Sequence, residues 1–207
     1  MKIVATLFFG MPLLFAMAAP ACAQQRDSEF TVFGAYRFGG EISVEDSNDV
    51  YAAEDSPAFG LIWNTRHDAN TQWEIYFSQQ QAEMELSDPL SAEPPVDVDF
   101  YTLQLGGTYL LKEKGLQPYI AMTIGGTHAK SDADSDTFFS GSLGFGIKLR
   151  PHERVGFRLE ARMHGVLVRD STQIFCQTGP SQNFCAVSVA GDMFAQLETF
   201  AGLTFRF

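Results

Sequence analysis

The side chains best suited to catalysis are few and are not grouped around a nucleophile. No His-x-Ser pattern or other pairing of a base with a nucleophile accompanies any histidine of the chain. The histidines are His67, His128, His152 and His164. This distribution predicts that the protein is not an enzyme.

Charged residues of both signs recur at alternate positions within otherwise apolar segments. Glu160, for example, lies between Arg158 and Arg162 with one residue on either side. Charges removed from bulk water are costly unless they are paired, so near-balance predicts an interlocked salt-bridge network. A charged, water-filled pore is the alternative. The five basic and four acidic residues of the set are Arg37, Glu41, Glu74, Lys148, Arg158, Glu160, Arg162, Glu198 and Arg206.

Period-two alternation of apolar and polar side chains runs from Glu29 onward and predicts β-strands. In one segment Tyr101 and Leu103 point one way, whereas Thr102 and Gln104 point the other. No segment has a helical period, so the predicted class is all-β. Eight segments alternate in this way: 29–42, 57–66, 71–84, 98–111, 116–129, 137–150, 155–168 and 191–207.

The connections between these segments alternate in length. The short ones are 67–70, 112–115 and 151–154, and the long ones are 43–56, 87–97, 130–136 and 169–190. An antiparallel up-and-down meander has this alternation, with both termini on the side of the short turns. Closing the meander into a barrel removes its exposed edges.

The two faces of the predicted strands indicate which solvent each one meets. One face carries Gly, Thr, Ser and charges, and the other is apolar and ends in aromatic residues near the turns. Eight strands enclose room for side chains only. A polar interior inside an apolar band is typical of outer-membrane barrels, which satisfy every backbone group between strands. We therefore predict an eight-stranded antiparallel up-and-down transmembrane β-barrel over residues 24–207.

The N-terminus and the composition predict an exported, acidic protein. Lys2 precedes an apolar run that ends in Ala21-Cys22-Ala23, which predicts a cleaved signal peptide over residues 1–23. The residues before Cys22 lack the Leu expected of a lipoprotein site. With 14 Lys and Arg against 25 Asp and Glu, the net charge of −11 argues against nucleic-acid binding.

Cys176 and Cys185 lie within the longest connection. In an exported protein such a pair is most simply a disulfide, here one that would pin a long loop. A metal site is the weaker alternative, because no histidine lies between or beside the two cysteines.

The first three long connections and their margins are strongly acidic. We interpret them as solvated loops, with divalent-cation bridging to lipopolysaccharide phosphates or capture of a basic ligand as the alternative. The segment 132–136 starts like a calcium loop, but Thr137 and Leu143 stand where Gly and Glu are required, which excludes an EF-hand. Against one base, Lys130, the acids are Glu45, Asp46, Asp49, Glu54, Asp55, Glu83, Glu85, Asp88, Glu93, Asp97, Asp99, Asp132, Asp134 and Asp136.

The signal sequence, the eight alternating segments and the chain end Gly202-Leu203-Thr204-Phe205-Arg206-Phe207 resemble the small eight-stranded outer-membrane barrels of the OmpA-like and OmpX-like kind. The resemblance implies that Phe205 and Phe207 belong to the signal read by the barrel-assembly machinery. Phe200 departs from the pattern, because a polar residue is usual there.

The function predicted from the sequence is a structural or surface-interaction role in the outer membrane of a Gram-negative bacterium. The acidic extracellular loops would bind an extracellular ligand, and a charge network would plug most of the lumen. A small diffusion pore for ions or small solutes is the alternative, and a lipid A-modifying hydrolase is less favoured. The predicted partners are outer-membrane lipids and lipopolysaccharide, the assembly machinery and an extracellular ligand. No cofactor and no nucleic acid are expected.

Overall fold

The computed structural model describes residues 28–43, 50–86, 96–112, 115–131, 135–149, 154–167, 172–178, 183–189 and 193–207. The side chains of 41–43, 50–52, 85–86, 172–178 and 183–189 lie outside the description, as does the predicted signal peptide. Among the described residues, no helix has the length and apolarity needed to cross a membrane. The strands of the described ranges are β1 (Ser28–Phe38), β2 (Glu41–Ser43), β3 (Val50–Ala53), β4 (Ser56–Arg66), β5 (Thr71–Leu86), β6 (Val96–Leu110), β7 (Gln117–Lys130), β8 (Ser135–Leu149), β9 (Val155–Leu167), β10 (Thr172–Thr178), β11 (Asn183–Val189) and β12 (Met193–Arg206).

Eight of the described strands close into an antiparallel barrel. Their order around the wall is β4-β1-β12-β9-β8-β7-β6-β5, and β5 returns to β4. Each strand therefore faces a partner four places away, so β5 lies opposite β9, β1 opposite β7, and β6 opposite β12. The predicted all-β, eight-stranded barrel is confirmed.

The two ends of the described chain close the wall. The backbone N–H of Ser28 donates to the carbonyl of Phe207 at 3.1 Å, and the N–H of Phe207 donates back at 3.0 Å. The first and last strands pair in register from Glu29 and Arg206 onward. Because β1 also pairs with β4, neither terminal strand is left as an open edge.

The first predicted strand, 29–42, is divided in the structure. Gly39 and Gly40 have φ angles of 70° and 116°, which favour glycine, and the paired register with β12 ends just before them, at Phe38. Beyond this bend β2 pairs with β3, and β3 pairs in turn with the end of β5. A sheet extension thus stands above this side of the barrel, where the sequence predicted a plain connection.

The predicted connection 169–190 contains a hairpin. Strands β10 and β11 pair with each other, and their register sets Cys176 directly opposite Cys185. The sequence predicts no strand here, because neither short strand belongs to the eight alternating segments.

The predicted alternation of faces is confirmed. Trp73 on β5 is 62% exposed, whereas the next residue, Glu74, is 1% exposed. The outward side chains of the barrel strands are largely apolar, and the inward ones are largely polar. This reversal of the usual arrangement is what a lipid-facing wall requires.

An apolar cluster occupies one side of the lumen. The ring of Phe33 packs on Phe200 with a centroid distance of 4.4 Å and on Tyr76 at 5.6 Å. Ile62 completes the cluster, and all four residues are buried. Position 200, where the resemblance leads us to expect a polar residue, thus holds a buried ring that packs against Phe33.

Candidate functional site

Two glutamates and two arginines form a closed ring of ion pairs across the lumen. Arg158 Nη2 lies 2.9 Å from Glu74 Oε2 and 2.7 Å from Glu160 Oε2. Arg162 Nη2 lies 2.6 Å from Glu74 Oε1, and its Nε lies 2.6 Å from Glu160 Oε1. All four side chains are fully buried. We call this group the Arg–Glu square; it links β5 to β9 on the opposite wall.

Uncharged neighbours complete the hydrogen bonding of the square. Thr108 donates to Glu74 Oε2 at 2.6 Å, and Asn64 donates to the same oxygen at 3.1 Å. Tyr119 donates its hydroxyl to Glu160 and accepts from Arg158 Nε at 2.7 Å. Buried charges are tolerated when their remaining donors and acceptors are satisfied in this way.

Glycines on β8 leave the space that the square needs. A Cβ on Gly144 would collide with the carboxylate of Glu160, and one on Gly146 would collide with the ring of Tyr119. A Cβ at Gly146 would also come within 2.6 Å of the carbonyl oxygen of Leu159. Glycine is therefore a packing requirement at both positions.

A second group of charges lies toward the short turns. Lys148 Nζ donates to Glu29 Oε2 at 2.8 Å and to Gln72 Oε1 at 2.6 Å. These contacts join β8 to β1 and β5 across the interior. The sequence-based set omitted Glu29, although Glu29 shares the alternating phase of Arg37 on the same strand.

A third group lies toward the long connections. Arg37 Nε donates to Glu198 Oε2 at 2.7 Å, and its other nitrogens donate to Gln80 and Ser78. Tyr76 donates its hydroxyl to Glu198 Oε1 at 2.7 Å. Tyr76 also lies under Arg162, whose guanidinium carbon is 4.4 Å from the ring centroid, so this group contacts the Arg–Glu square.

Beyond the third group, an aromatic pair spans the lumen. Phe100 on β6 and Phe194 on β12 come from opposite walls, and their rings stack with a centroid distance of 6.1 Å. The three charged groups and this pair thus lie at successive levels of the interior.

The charges that form these lumen ion pairs balance. Their bases are Arg37, Lys148, Arg158 and Arg162, and their acids are Glu29, Glu74, Glu160 and Glu198. Each member has a partner of opposite sign within 3 Å. The arrangement is suited to tying the walls together and to excluding hydrated ions. No group of three or more metal-binding side chains occurs in the described part of the chain.

The other predicted residues lie at the ends of the barrel or beyond the description. Arg206 is half-buried on the inward face, opposite Glu29 in the strand register. Phe205 and Phe207 are exposed on the outer wall, and the ring of Phe207 meets Trp63 edge-on. The side chain of Glu41 lies outside the description, and so do those of the two cysteines.

The histidines are dispersed. His164 lies in the lumen, with Nε2 3.5 Å from Glu198 Oε1. His128 lies on the outer wall, where its Nδ1 is 2.9 Å from the hydroxyl of Thr137. His67 is in a short turn, and His152 lies outside the described residues.

The acids of the predicted outer loops are described in part. Asp55 has a local role, since its Oδ1 accepts from the N–H of Gly39 at 2.9 Å in the bend after β1. Three segments of these loops lie outside the description: 44–49, 87–95 and 132–134. The last of them holds most of the calcium-like stretch. The side chains described are Glu54, Asp55, Glu83 and Asp97, which are exposed, and Asp99 and Asp136, which are half-buried.

The short turn 67–70 is held by Asp68. Its Oδ1 accepts from the N–H groups of Asn70 and Thr71 at 2.9 and 2.8 Å. These two backbone donors lower the pKa of Asp68 below its usual value, because they stabilise the ionised carboxylate.

No known family model and no curated protein matches the chain. Several solved structures share its fold. The Neisserial surface protein A (NspA) matches with a TM-score of 0.57 and 12% identity, over 86% of this chain and 97% of that one. OprG from Pseudomonas aeruginosa matches with a TM-score of 0.60 and 12% identity, over 88% and 96%.

A third similar structure is Ail, the attachment invasion locus protein of Yersinia pestis, in complex with the heparin analogue sucrose octasulfate. It matches with a TM-score of 0.51 and 15% identity, over 88% of this chain and 99% of that one. At these identities the likeness concerns the fold. The chain thus has the fold of the small eight-stranded outer-membrane β-barrels, with a largely apolar outer wall and ion-paired charges in the lumen.

Proposed function

We propose that the protein is an outer-membrane barrel with a structural or surface-interaction role, in which the acidic loops bind and the lumen is closed. In this proposal residues 1–23 are a cleaved signal peptide and residues 24–207 form the membrane domain. The observation that carries the closed lumen is the Arg–Glu square, in which Glu74 on one wall is ion-paired with both arginines of the opposite wall.

A closed lumen is supported by the burial and ion pairing of the charged side chains inside it. A conducting path needs water beside the charges. Arg158, Arg162 and Glu74 are instead buried, and both arginines are ion-paired with Glu74. Opening such a path would separate several ion pairs at once, each in a poorly solvated interior. The small diffusion pore therefore remains the second candidate.

A role at the cell surface is supported by the position of the excess negative charge, which lies on the predicted outer loops. Because the described lumen ion pairs balance, the negative excess of the chain falls largely on the predicted loops and their margins, including exposed Glu83 and Asp97. A basic ligand, or divalent cations that bridge to lipopolysaccharide phosphates, would suit this surface. Ail, whose name refers to attachment and invasion, has the same fold.

Two further features belong to the proposal. A disulfide between Cys176 and Cys185 would clip the β10–β11 hairpin, and their register favours it because they lie directly opposite each other. Phe205 and Phe207 would serve the barrel-assembly machinery, and their exposure on the last strand suits recognition from outside the barrel. No enzymatic activity is proposed, since His164 is bonded inside the lumen and His128 lies on the outer wall.

Single-channel recording in a planar bilayer tests the closed lumen. Refolded protein, with folding verified by its heat-modifiable gel shift, should give no stable conductance steps. Glu160→Ala should introduce them, because it removes two of the four ion pairs of the Arg–Glu square. Reproducible steps from the unmodified protein would favour the diffusion pore instead.

A further inference from the structure

An apolar groove of about 730 Å³ crosses the outer wall over strands β5 to β8. Glycines pair with several of the large outward side chains along it. Gly107 pairs with both Trp73 and Met122, and Gly141 pairs with Ile124. The apolar side chains that line the groove are Trp73, Ile75, Leu105, Met122, Ile124 and Phe139.

The end of the groove nearer the long connections lies at Phe139 on β8 and Gly125 on β7. Gly126 follows at the next outward position after Ile124 and pairs with Phe139 on β8. The groove reaches Phe139, and no Cβ stands at the paired position Gly126. A Cβ placed on Gly126 would have only ordinary contacts, the nearest 3.6 Å away, so the space there is free.

Polar side chains stand at the rim end of this groove. His128 and Lys130 are the next two outward residues of β7, and Thr137 lies beside His128 on β8. His128 Nδ1 lies 2.9 Å from the hydroxyl of Thr137, so this contact uses one of the two ring nitrogens. The wall therefore changes from an apolar groove to hydrogen-bonding and basic groups within two residue pairs.

Lys130 is distinctive in its charge. In the part of the chain that the structure describes, it is the only basic side chain exposed at the end of the barrel that carries the long connections. Asp99 on β6 lies directly across from it in the register, Gln81 on β5 pairs with Asp99, and Glu83 on β5 follows one outward position further. A cation placed above an apolar groove, on an otherwise acidic rim, matches an anionic headgroup joined to an acyl chain.

We propose that this face of β7 and β8 binds one outer-leaflet lipid whose headgroup carries phosphate. Lys130 and His128 contact the phosphate, and an acyl chain lies along Gly126 in the outer part of the groove. The proposal rests on the outer-membrane location proposed above, but the site lies on the wall, so it does not depend on whether the lumen is closed or the loops bind a ligand.

Native mass spectrometry of the refolded full chain, titrated with bis-phosphorylated lipid A in detergent and EDTA, tests the proposal. EDTA removes divalent cations that would otherwise attach phosphate to the acidic rim. We expect one lipid to bind with an affinity that Lys130→Gln lowers about fivefold, the contribution of one basic side chain near an anionic lipid surface. Dephosphorylated lipid A should bind more weakly to the unmodified protein and about equally to both proteins.

Filling the groove gives a second test with a matched control. Gly126→Leu should also weaken binding, because its side chain would occupy the acyl position. Gly34→Leu places the same side chain at an exposed glycine on β1, the strand opposite β7, where the nearest heavy atom to a Cβ is more than 4 Å away. Lys112→Gln removes an exposed lysine near a short turn.

The two controls should bind the lipid as the unmodified protein does, with folding of every variant verified by the gel shift. Unchanged affinity in Lys130→Gln would overturn the proposal. So would equal effects of Gly126→Leu and Gly34→Leu, since these would show that the groove has no special affinity.

Discussion

Glu74 and Glu160 extend from opposite walls of the barrel and hold the same two arginines. Each carboxylate uses one oxygen for Arg158 and the other for Arg162, so no carboxylate oxygen lacks an arginine partner. Since both arginines and Glu160 belong to β9, Glu74 is the member that joins this strand to β5. The lumen is therefore crossed by a link that neither strand could form alone.

Glu160→Gln should lower the free energy of unfolding by about 3–5 kcal/mol, the usual cost of removing one partner from a buried ion pair. Arg158 and Arg162 would remain in the lumen with Glu74 as their only carboxylate partner in the Arg–Glu square. Equilibrium urea unfolding in lipid vesicles measures the change. Glu83→Gln, at an exposed position, is the control and should change stability little. Similar values for the two variants would contradict a tightly coupled network.

Gly146→Ala should destabilise the barrel by about 1–3 kcal/mol, as overpacking of a filled interior does. The added methyl group would displace the ring of Tyr119 and approach the backbone at Leu159. Gly34→Ala is the matched control, because a Cβ there meets no heavy atom within 4 Å. The same unfolding experiment compares them, and equal stability of the two variants would show that the lumen has room to spare.

Phe200→Ala should cost about 3–5 kcal/mol, because it removes a buried ring and leaves a cavity beside Phe33. Phe145→Ala removes a ring of the same kind from the exposed outer wall and should cost less. Thermal unfolding followed by the gel shift ranks the two variants. A smaller loss for Phe200→Ala would mean that the apolar cluster contributes little to the stability of the lumen.

Cys176 and Cys185 should resist a thiol-reactive probe in the oxidised protein and react with it after reduction. The expectation follows from the strand register, which places the two residues opposite each other on β10 and β11. Mass spectrometry counts the labelled cysteines of the mature chain. Two labelled thiols before reduction would rule out the disulfide.

Asp68→Ala should lower the thermal stability at neutral pH, because two backbone donors of the turn lose their acceptor. The lowered pKa of Asp68 means that its contribution is fully present above the pKa of the unfolded chain and is lost as the pH falls through the folded value. The difference in Tm between the two proteins should therefore shrink below about pH 4. A difference that persists unchanged at pH 2 would show that the carboxylate charge is not responsible.

Alternation in the sequence determined the strands and their two faces, because both depend on residues one or two positions apart. It placed Trp73 outside and Glu74 inside, as the structure has them. Closure into eight strands followed from the number of segments and the alternating loop lengths. The bend at Gly39 and Gly40 was missed, since the apolar pattern continues across it while only the backbone angles change.

The partners inside the lumen were decided by the tertiary structure. Alternation marked Arg158 and Arg162 as inward, but it did not pair them with Glu74, because that pairing depends on which strand lies opposite β9. The phase of β1 also marks Glu29 as inward, although the predicted set left it out, but its pairing with Lys148 on β8 depends on the closed barrel. A strand's faces are set by its own residues, whereas the contacts across a barrel are set by strand order and register, which the whole closed sheet fixes at once.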